Sequence, residues 1–287
     1  MDYLTYFNKE LALVEAYLEK ELPASTKCPP VIHDVMRYAV LGAGKRFRPI
    51  LVLAVCQACG GSPKKALPAA AALELIHAYS LVHDDLPALD NDDFRRGKPS
   101  CHKKFGEAMA ILAGDGLLTT AFEWVGRVRP SDTAIRVLVE LSTAAGTFGM
   151  IGGQVADILI QNRDRDEAML DYISIHKTGC LIRAAAVIGA LSAAAAPGTI
   201  ARIRKFGEFL GLAFQIADDL NDGDGYLKQM TASEAEERVR VLIARGKKEI
   251  KVLGKKAEGL IFIADTVISF ISAPSSQPIH SVNVTKK

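Results

Sequence analysis

Helical periodicity dominates this chain, and two of its most apolar runs end in rows of aspartates. The first, Ala70 to Val82, passes straight into His83-Asp84-Asp85-Leu86-Pro87-Ala88-Leu89-Asp90-Asn91-Asp92-Asp93. Five carboxylates fall within ten residues, and Arg95, Arg96 and Lys98 follow at once. Like charges so close together favour a solvated loop unless cations sit among them. Hard oxygen ligands select hard cations, and Mg2+ in particular binds through one or two carboxylates together with substrate phosphates. Arginine adds a planar, multi-donor grip for phosphate oxygens. Acid and base side by side therefore point to a metal–diphosphate site, against the plainer reading of a solvated helix end.

The second row lies about 130 residues downstream, in Phe214-Gln215-Ile216-Ala217-Asp218-Asp219-Leu220-Asn221-Asp222, and also grows out of an apolar helical run. Asp218 and Asp222 share a helix face, and Asp219 stands three residues before Asp222. The first row differs: Asp84 and Asp90 are separated by roughly 600° of helix, which would point them apart. Pro87 resolves this. It lacks a backbone donor and biases Leu86 away from the α region, so the helix is expected to end or bend there. Asp90 can then swing back beside Asp84. Two such rows, each ending a buried-looking helix, outweigh the reading of either one as a mere solvated cap.

The 287 residues are 49% hydrophobic and carry a net charge of +2, enough for a sizeable core and against a nucleic-acid partner. Cys56 and Cys59 form a CxxC inside an apolar run, with no second pair at zinc-finger spacing, so packing is the expected role. Five cysteines suit a reducing compartment. Met1-Asp2-Tyr3-Leu4 has no signal-peptide character, and the longest uninterrupted apolar run, Ala184 to Pro197, is too short for a bilayer. A soluble, cytoplasmic protein without membrane insertion is expected.

Helices are predicted over Val31–Leu41, Pro49–Ala58, Leu67–Val82, Ala108–Val125, Ala134–Met150, Met169–His176, Leu181–Ala195, Ile200–Ala217 and Ser233–Val252. Breaks fall at Cys28-Pro29-Pro30, Gly60-Gly61-Ser62-Pro63, Arg129-Pro130 and Gly223-Asp224-Gly225. No strand pattern and no repeat stands out. The simplest reading is one all-α domain over residues 1–272, with a polar, disordered tail from Ala273.

Basic and polar partners are spread along the chain. Gly42-Ala43-Gly44-Lys45-Arg46-Phe47-Arg48-Pro49 is a glycine-loosened basic turn that suits an anion, though such turns are also common at solvated helix ends. His77 and Gln215 stand on apolar helices, where a polar side chain needs a partner. Gln154 and Asp157 lie one turn apart. Lys177 and Thr178 close another helix, either for dipole reasons or as a phosphate grip.

Together these segments resemble the trans-polyprenyl diphosphate synthases, most closely the bacterial farnesyl diphosphate synthases, over roughly residues 30 to 222. Gly44-Lys45-Arg46-Phe47-Arg48-Pro49 is similar to that family's GKRxRP motif. Ile76 to Asp90 is similar to its first aspartate-rich motif, in the DDxxxxD form, with Arg95-Arg96-Gly97-Lys98-Pro99 as the sequel. His176-Lys177-Thr178-Gly179 and Phe214 to Asp219 match the later motifs.

The resemblance implies a single-domain orthogonal helical bundle around a central cavity, the isoprenoid synthase fold. It implies a homodimer and about three Mg2+ per site. It also implies head-to-tail condensation of isopentenyl diphosphate with dimethylallyl or geranyl diphosphate to give farnesyl diphosphate. Asp84, Asp85, Asp90, Asp218, Asp219 and Asp222 become the metal ligands. Lys45, Arg48, His77 and Arg96 hold isopentenyl diphosphate, while Arg95, Lys177, Thr178 and Gln215 hold the allylic one. Catalysis falls to Asp84, Asp85, Asp90, Lys177, Asp218 and Asp219. Tyr79, with Ser80, sits where an aromatic forms the floor of C15 synthases, about 7.5 Å along the helix from Asp84. Tyr79, Phe148 and Phe214 are candidate faces for a carbocation.

One departure is plain. The loop after Asp222 looks shorter than the family's, and its usual lysine has no equivalent except Lys228. A geranylgeranyl diphosphate synthase and a non-catalytic prenyl synthase subunit are the alternatives. A metal phosphohydrolase prompted by His83-Asp84 lacks the further histidines it would need.

Overall fold

The computed structural model describes residues 3–42, 44–160, 167–223 and 225–272, and among these the chain is almost wholly helical. Two N-terminal helices, α1 (Tyr3–Tyr6) and α2 (Asn8–Glu21), precede α3 (Pro30–Val40), α4 (Phe47–Ala58) and α5 (Pro63–Asp84). Then come α6 (Cys101–Phe105), α7 (Glu107–Val125), α8 (Ser131–Ala145), α9 (Met150–Ile160) and α10 (Glu167–Ile173). The chain finishes with α11 (Cys180–Ser192), α12 (Pro197–Asp222), α13 (Ala232–Ile250) and α14 (Glu258–Ser272). The polar tail from Ala273, expected to be disordered, lies outside the described residues, as do Ala43 and Asp224 of the two glycine turns.

Helix starts follow local chemistry. Pro30, Pro63 and Pro197 each stand in a first turn, where a missing N–H leaves no bond unmade. Thr231 and Glu234 close a capping box at the head of α13. The inner helices are apolar nearly all round: of α4 only Gln57 escapes burial, and α11 is buried from Cys180 to Leu191 apart from Arg183. They form the core with α5, which packs on α7 and α4, and with α12, which packs on α11 and α13. All five cysteines are unbridged.

Three expectations are corrected. The single helix predicted over Ala134–Met150 is two, because α8 stops at Ala145 and a non-helical turn over residues 146–149 separates it from α9. A Cβ on Gly149 would stand 2.1 Å from the Ala144 carbonyl oxygen, a contact only glycine avoids. The chain is also not strand-free: Phe94–Arg95 and Lys98–Pro99 form a two-residue antiparallel ribbon, β1 and β2, turned by Arg96 and Gly97 at positive φ.

The third correction concerns hydropathy. Glu107–Val125, Ser131–Ile160 and Glu167–Ser192 reach the length and hydropathy of a bilayer span, because helices run on past the uninterrupted apolar stretches. Each nevertheless carries paired carboxylates: Glu123 meets Arg127 at 2.8 Å in the first, Glu140 meets Arg204 at 2.7 Å and Asp157 meets Lys177 at 2.8 Å in the second, and Asp171 meets Arg238 at 2.7 Å in the third. Such charges are expensive in hydrocarbon, and the last of the three stretches is 72% buried within the protein.

Between α10 and α11 the chain makes a π-helical turn, Ser174–Gly179, that carries His176, Lys177 and Thr178. Turns of this kind recur at functional sites. α9 approaches it so closely that a Cβ on Gly153 would lie 2.1 Å from the Lys177 backbone nitrogen. Gly153→Ala should therefore force α9 off this turn and destabilise the protein by about 2 kcal/mol or more, the scale of overpacking a tight core. Chemical denaturation of the two proteins checks this, an unchanged midpoint counting against the close approach.

Candidate active site

α5 and α12 deliver their aspartates to one cavity of about 910 Å³. Asp84 and Asp90 line it from the first row, and Asp218, Asp219 and Asp222 from the second. Beyond them the walls are apolar, with Leu118, Met150, Ile151, Val155 and Ile158 contributing.

The local folding of each row explains the meeting. α5 ends at Asp84, and the Asp90 N–H donates to the Asp84 carbonyl at 2.9 Å. Leu89 and Asn91 both donate to the Leu86 carbonyl, at 2.9 and 3.1 Å, and Asn91 takes a positive φ of 53°. The turn around Pro87 thus folds Asp90 back beside Asp84. The second row stays helical to Asp222, where Gly223 at φ 73° stops α12. Asp219 is held at both oxygens: Gln215 Nε2 donates to Oδ1 at 2.7 Å and the Tyr226 N–H to Oδ2 at 3.1 Å.

Burial and mutual repulsion set the electrostatics. Burial pushes the Asp218 carboxyl up to about 7, and the Asp222 and Asp219 carboxylates push the same way. Asp84 is raised to about 6, chiefly by burial, with Lys177 opposing and Asp90 adding to the rise. Asp90 is raised for the same first reason. Carboxylates held against one another out of water are carboxylates short of positive charge.

The cations are graded around them. Lys177 Nζ donates to Asp157 Oδ2 at 2.8 Å at the cavity wall. Arg95 donates through Nε to Asp85 at 2.9 Å and also reaches Asp92 at 3.0 Å. Arg48 is buried beside His77, its NH1 3.4 Å from the imidazole Nε2, and its Nε has no hydrogen-bond partner among the described residues. Burial lowers the Arg48 guanidinium to about 10. An arginine kept in so dry a place with a donor unused is poised for an anion.

Of the residues singled out in the sequence, Asp84, Asp90, Asp218, Asp219, Asp222, Arg48, His77, Arg95, Lys177, Thr178, Gln215, Tyr79 and Ser80 all line the cavity. Three do not. Asp85, one residue round the helix from Asp84, is turned away from the cavity and gripped by Arg95. Arg96 lies beside it and reaches Gly44, and Lys45 rests its ammonium 4.7 Å above the Phe270 ring. Two aromatic candidates also fail. Phe148 is 85% exposed in the break between α8 and α9, and Phe214 is buried between Phe47 and Phe270. Asp115, Gly225 and the π-helical turn also shape the site. Asp115 carried a weak signal as an acid on an apolar helix, whereas π geometry has no residue signature.

Among the described residues, no three His, Cys, Asp or Glu side chains converge as one metal-ligand set. The donors are nonetheless all carboxylate oxygens, on two rows facing one space. That suits a hard cation which takes one or two carboxylates and completes its shell with phosphate oxygens.

An all-helical bundle with two aspartate rows facing across one apolar-walled cavity defines the isoprenoid synthase class. Within it, this chain belongs to the polyprenyl synthetase family, whose model matches residues 29–232. A geranylgeranyl diphosphate synthase of Cyanophora paradoxa is 40% identical over 289 residues, covering 93% of this chain and 96% of that protein. The large subunit 1 of a heterodimeric geranylgeranyl pyrophosphate synthase of Arabidopsis thaliana, a chloroplastic protein, is 44% identical over 77% of this chain, which spans 61% of its length. Among solved structures, an FPP/GFPP synthase from Zymomonas mobilis superposes with a TM-score of 0.88 at 32% identity, covering 93% of this chain and 98% of that one.

A raised carboxyl binds its proton more tightly in the folded state than in the unfolded one. Stability contributed by Asp218 is therefore present at low pH and lost as pH rises from about 4 to about 7. Asp218→Asn should raise the melting temperature of the metal-free protein at pH 8 by at least about 2 °C, the effect of roughly 1 kcal/mol at this size. The gain should vanish near pH 4. Thermal melts across that range check the sign.

Proposed function

We propose that this chain joins isopentenyl diphosphate head-to-tail to an allylic diphosphate, dimethylallyl or geranyl, and releases pyrophosphate. The supporting observation is the two aspartate rows lining one cavity that is apolar beyond them. Mg2+ bound through Asp84, Asp90, Asp218, Asp219 and Asp222 would supply the positive charge that favours departure of pyrophosphate.

The protein's own groups do the rest. Lys177, Arg95 and Thr178 bind the allylic diphosphate, and Lys177 exchanges its bond to Asp157 for one to phosphate. The allylic C–O bond breaks with its electron pair leaving on pyrophosphate. Arg48 and His77, with Lys45 and Arg96 behind them, hold isopentenyl diphosphate so that its double bond forms the new C–C bond. The proton then lost passes to the released pyrophosphate. Apolar walls keep water from the carbocation.

Product length is set by where the growing chain stops. Tyr79 is the one buried aromatic among the three candidates that lines the cavity, and its phenol has no partner among the described residues. That favours farnesyl diphosphate. Geranylgeranyl diphosphate is the second reading, favoured by the names of the Cyanophora and Arabidopsis relatives. A homodimer is supported by an apolar outer face on α7 to α9, where Ile111, Leu112, Ile135, Val139 and Leu159 are exposed.

The test is direct: purified chain, Mg2+, isopentenyl diphosphate and each allylic primer, with products identified by mass. A C15 product is expected, and Tyr79→Ala should shift the main product to C20 or longer. The same chain lengths from both proteins would remove Tyr79 as the floor. Metal-dependent binding without turnover would leave a non-catalytic subunit.

A further inference from the structure

Tyr226 lies outside the cavity lining, yet both its ends are committed around the second aspartate row. Its ring is fully buried. Its backbone N–H donates to Asp219 Oδ2 at 3.1 Å, and its hydroxyl donates to Asp171 Oδ1 at 2.5 Å. Arg238 clamps the same Asp171 through two bonds, at 2.8 and 2.7 Å, reaches Glu167 at 2.5 Å and lies over the Tyr226 ring at 5.3 Å. A residue on α10, one on α13 and the turn after α12 are thus tied together at one phenol. Burial and the Asp171 carboxylate hold that phenol far above its usual range, so it remains a donor.

The preceding residue shows how tight the fit is. Gly225 has a φ of +58°, and a Cβ there would stand 1.8 Å from Asp219 Oδ2. The backbone presses on the carboxylate itself, which a side chain would forbid. Asp219 is one turn from the end of α12, where helices fray. The segment after Asp222 is also shorter than the family resemblance implies, so few residues remain to hold that end in place.

We propose that Tyr226 is a positioning residue for the metal site. It pins residues 225–228 so that its own N–H, opposite Gln215, fixes the Asp219 carboxylate toward the cavity. These two donors, one on each oxygen, orient the Asp219 carboxylate. The inference rests on the proposed metal–diphosphate function and adds the device by which this chain organises its second row.

Tyr226→Phe keeps the ring and removes only the hydroxyl. Mn2+ binding in the presence of inorganic pyrophosphate, followed by electron paramagnetic resonance, reads the effect without turnover. The variant should bind Mn2+ about tenfold more weakly, the low end for groups that orient a ligand from behind. It should add little further loss in an Asp219→Asn background, because the two act through one carboxylate. Asp171→Asn, which spares the buried ring, should weaken binding in the same direction and carries the test if Tyr226→Phe fails to fold. Unchanged Mn2+ affinity with a lowered melting temperature would overturn the positioning role alone. Absence of Mn2+–pyrophosphate binding by the unsubstituted protein would overturn the proposed function and this role with it.

Discussion

The rest of the structure depends on repulsion between carboxylates that the fold refuses to let apart. Asp84 and Asp90 are tied by a backbone bond, and Asp218 and Asp222 by a helical turn. Separating the first pair means opening the turn at Pro87, and separating the second means unwinding the last turn of α12. Burial lifts Asp84 and Asp218 toward neutrality, and repulsion from the neighbouring carboxylates adds to the rise. Carboxylates in this condition are short of positive charge. Stability is given up locally in exchange for a prepared site, a common arrangement where function needs groups that folding alone would not assemble.

The cations show the complementary constraint, and adjacent ones do opposite work. Arg46 has a left-handed backbone at φ 46°, which sends its side chain inward. There it meets Glu74 and Glu15 at 2.8 and 2.7 Å and the Val40 carbonyl at 2.7 Å. A buried guanidinium is tolerable only with such partners. Arg48, two residues on, has no carboxylate partner among the described residues and sits lowered in pKa beside His77. Glu74 therefore forms its ion pair with Arg46, while Arg48 feels it only at a distance. The difference between the ion-paired arginine and the one at the cavity lies in the backbone dihedral, since the residue type is the same.

This bears on what could be read from the sequence. Pro87 and the spacing of Asp84 from Asp90 were enough to place a turn that reunites them, because proline acts locally. The one-face geometry of Asp218 and Asp222 follows from helical period alone. The separate fates of Arg46 and Arg48 were not legible, because no local rule assigns a positive φ to an arginine. Phe148 was misplaced for a related reason: the glycines at 146 and 149 break the helix and turn that ring outward. The partnership of Tyr226 with Asp171 joins residues 55 apart. Such pairs emerge only from packing.

His83 carries the last step. Its position before Asp84 suggests a metal ligand, but its Nε2 stands 3.1 Å from the Ile111 carbonyl on α7, and its ring meets Tyr79 edge-on with centroids 5.8 Å apart. Gly114 makes this possible, since a Cβ there would lie 2.0 Å from His83 Nε2. His83 therefore bolts α5 to α7 and braces Tyr79 from behind. The part of the cavity wall that Tyr79 forms thus depends on the α5–α7 spacing as well as on the tyrosine. The outer side of the same turn of α7 exposes Ile111 and Leu112. Anything packed on that side would bear on the helix that His83 leans on, so the outer surface and the cavity wall share one structural element.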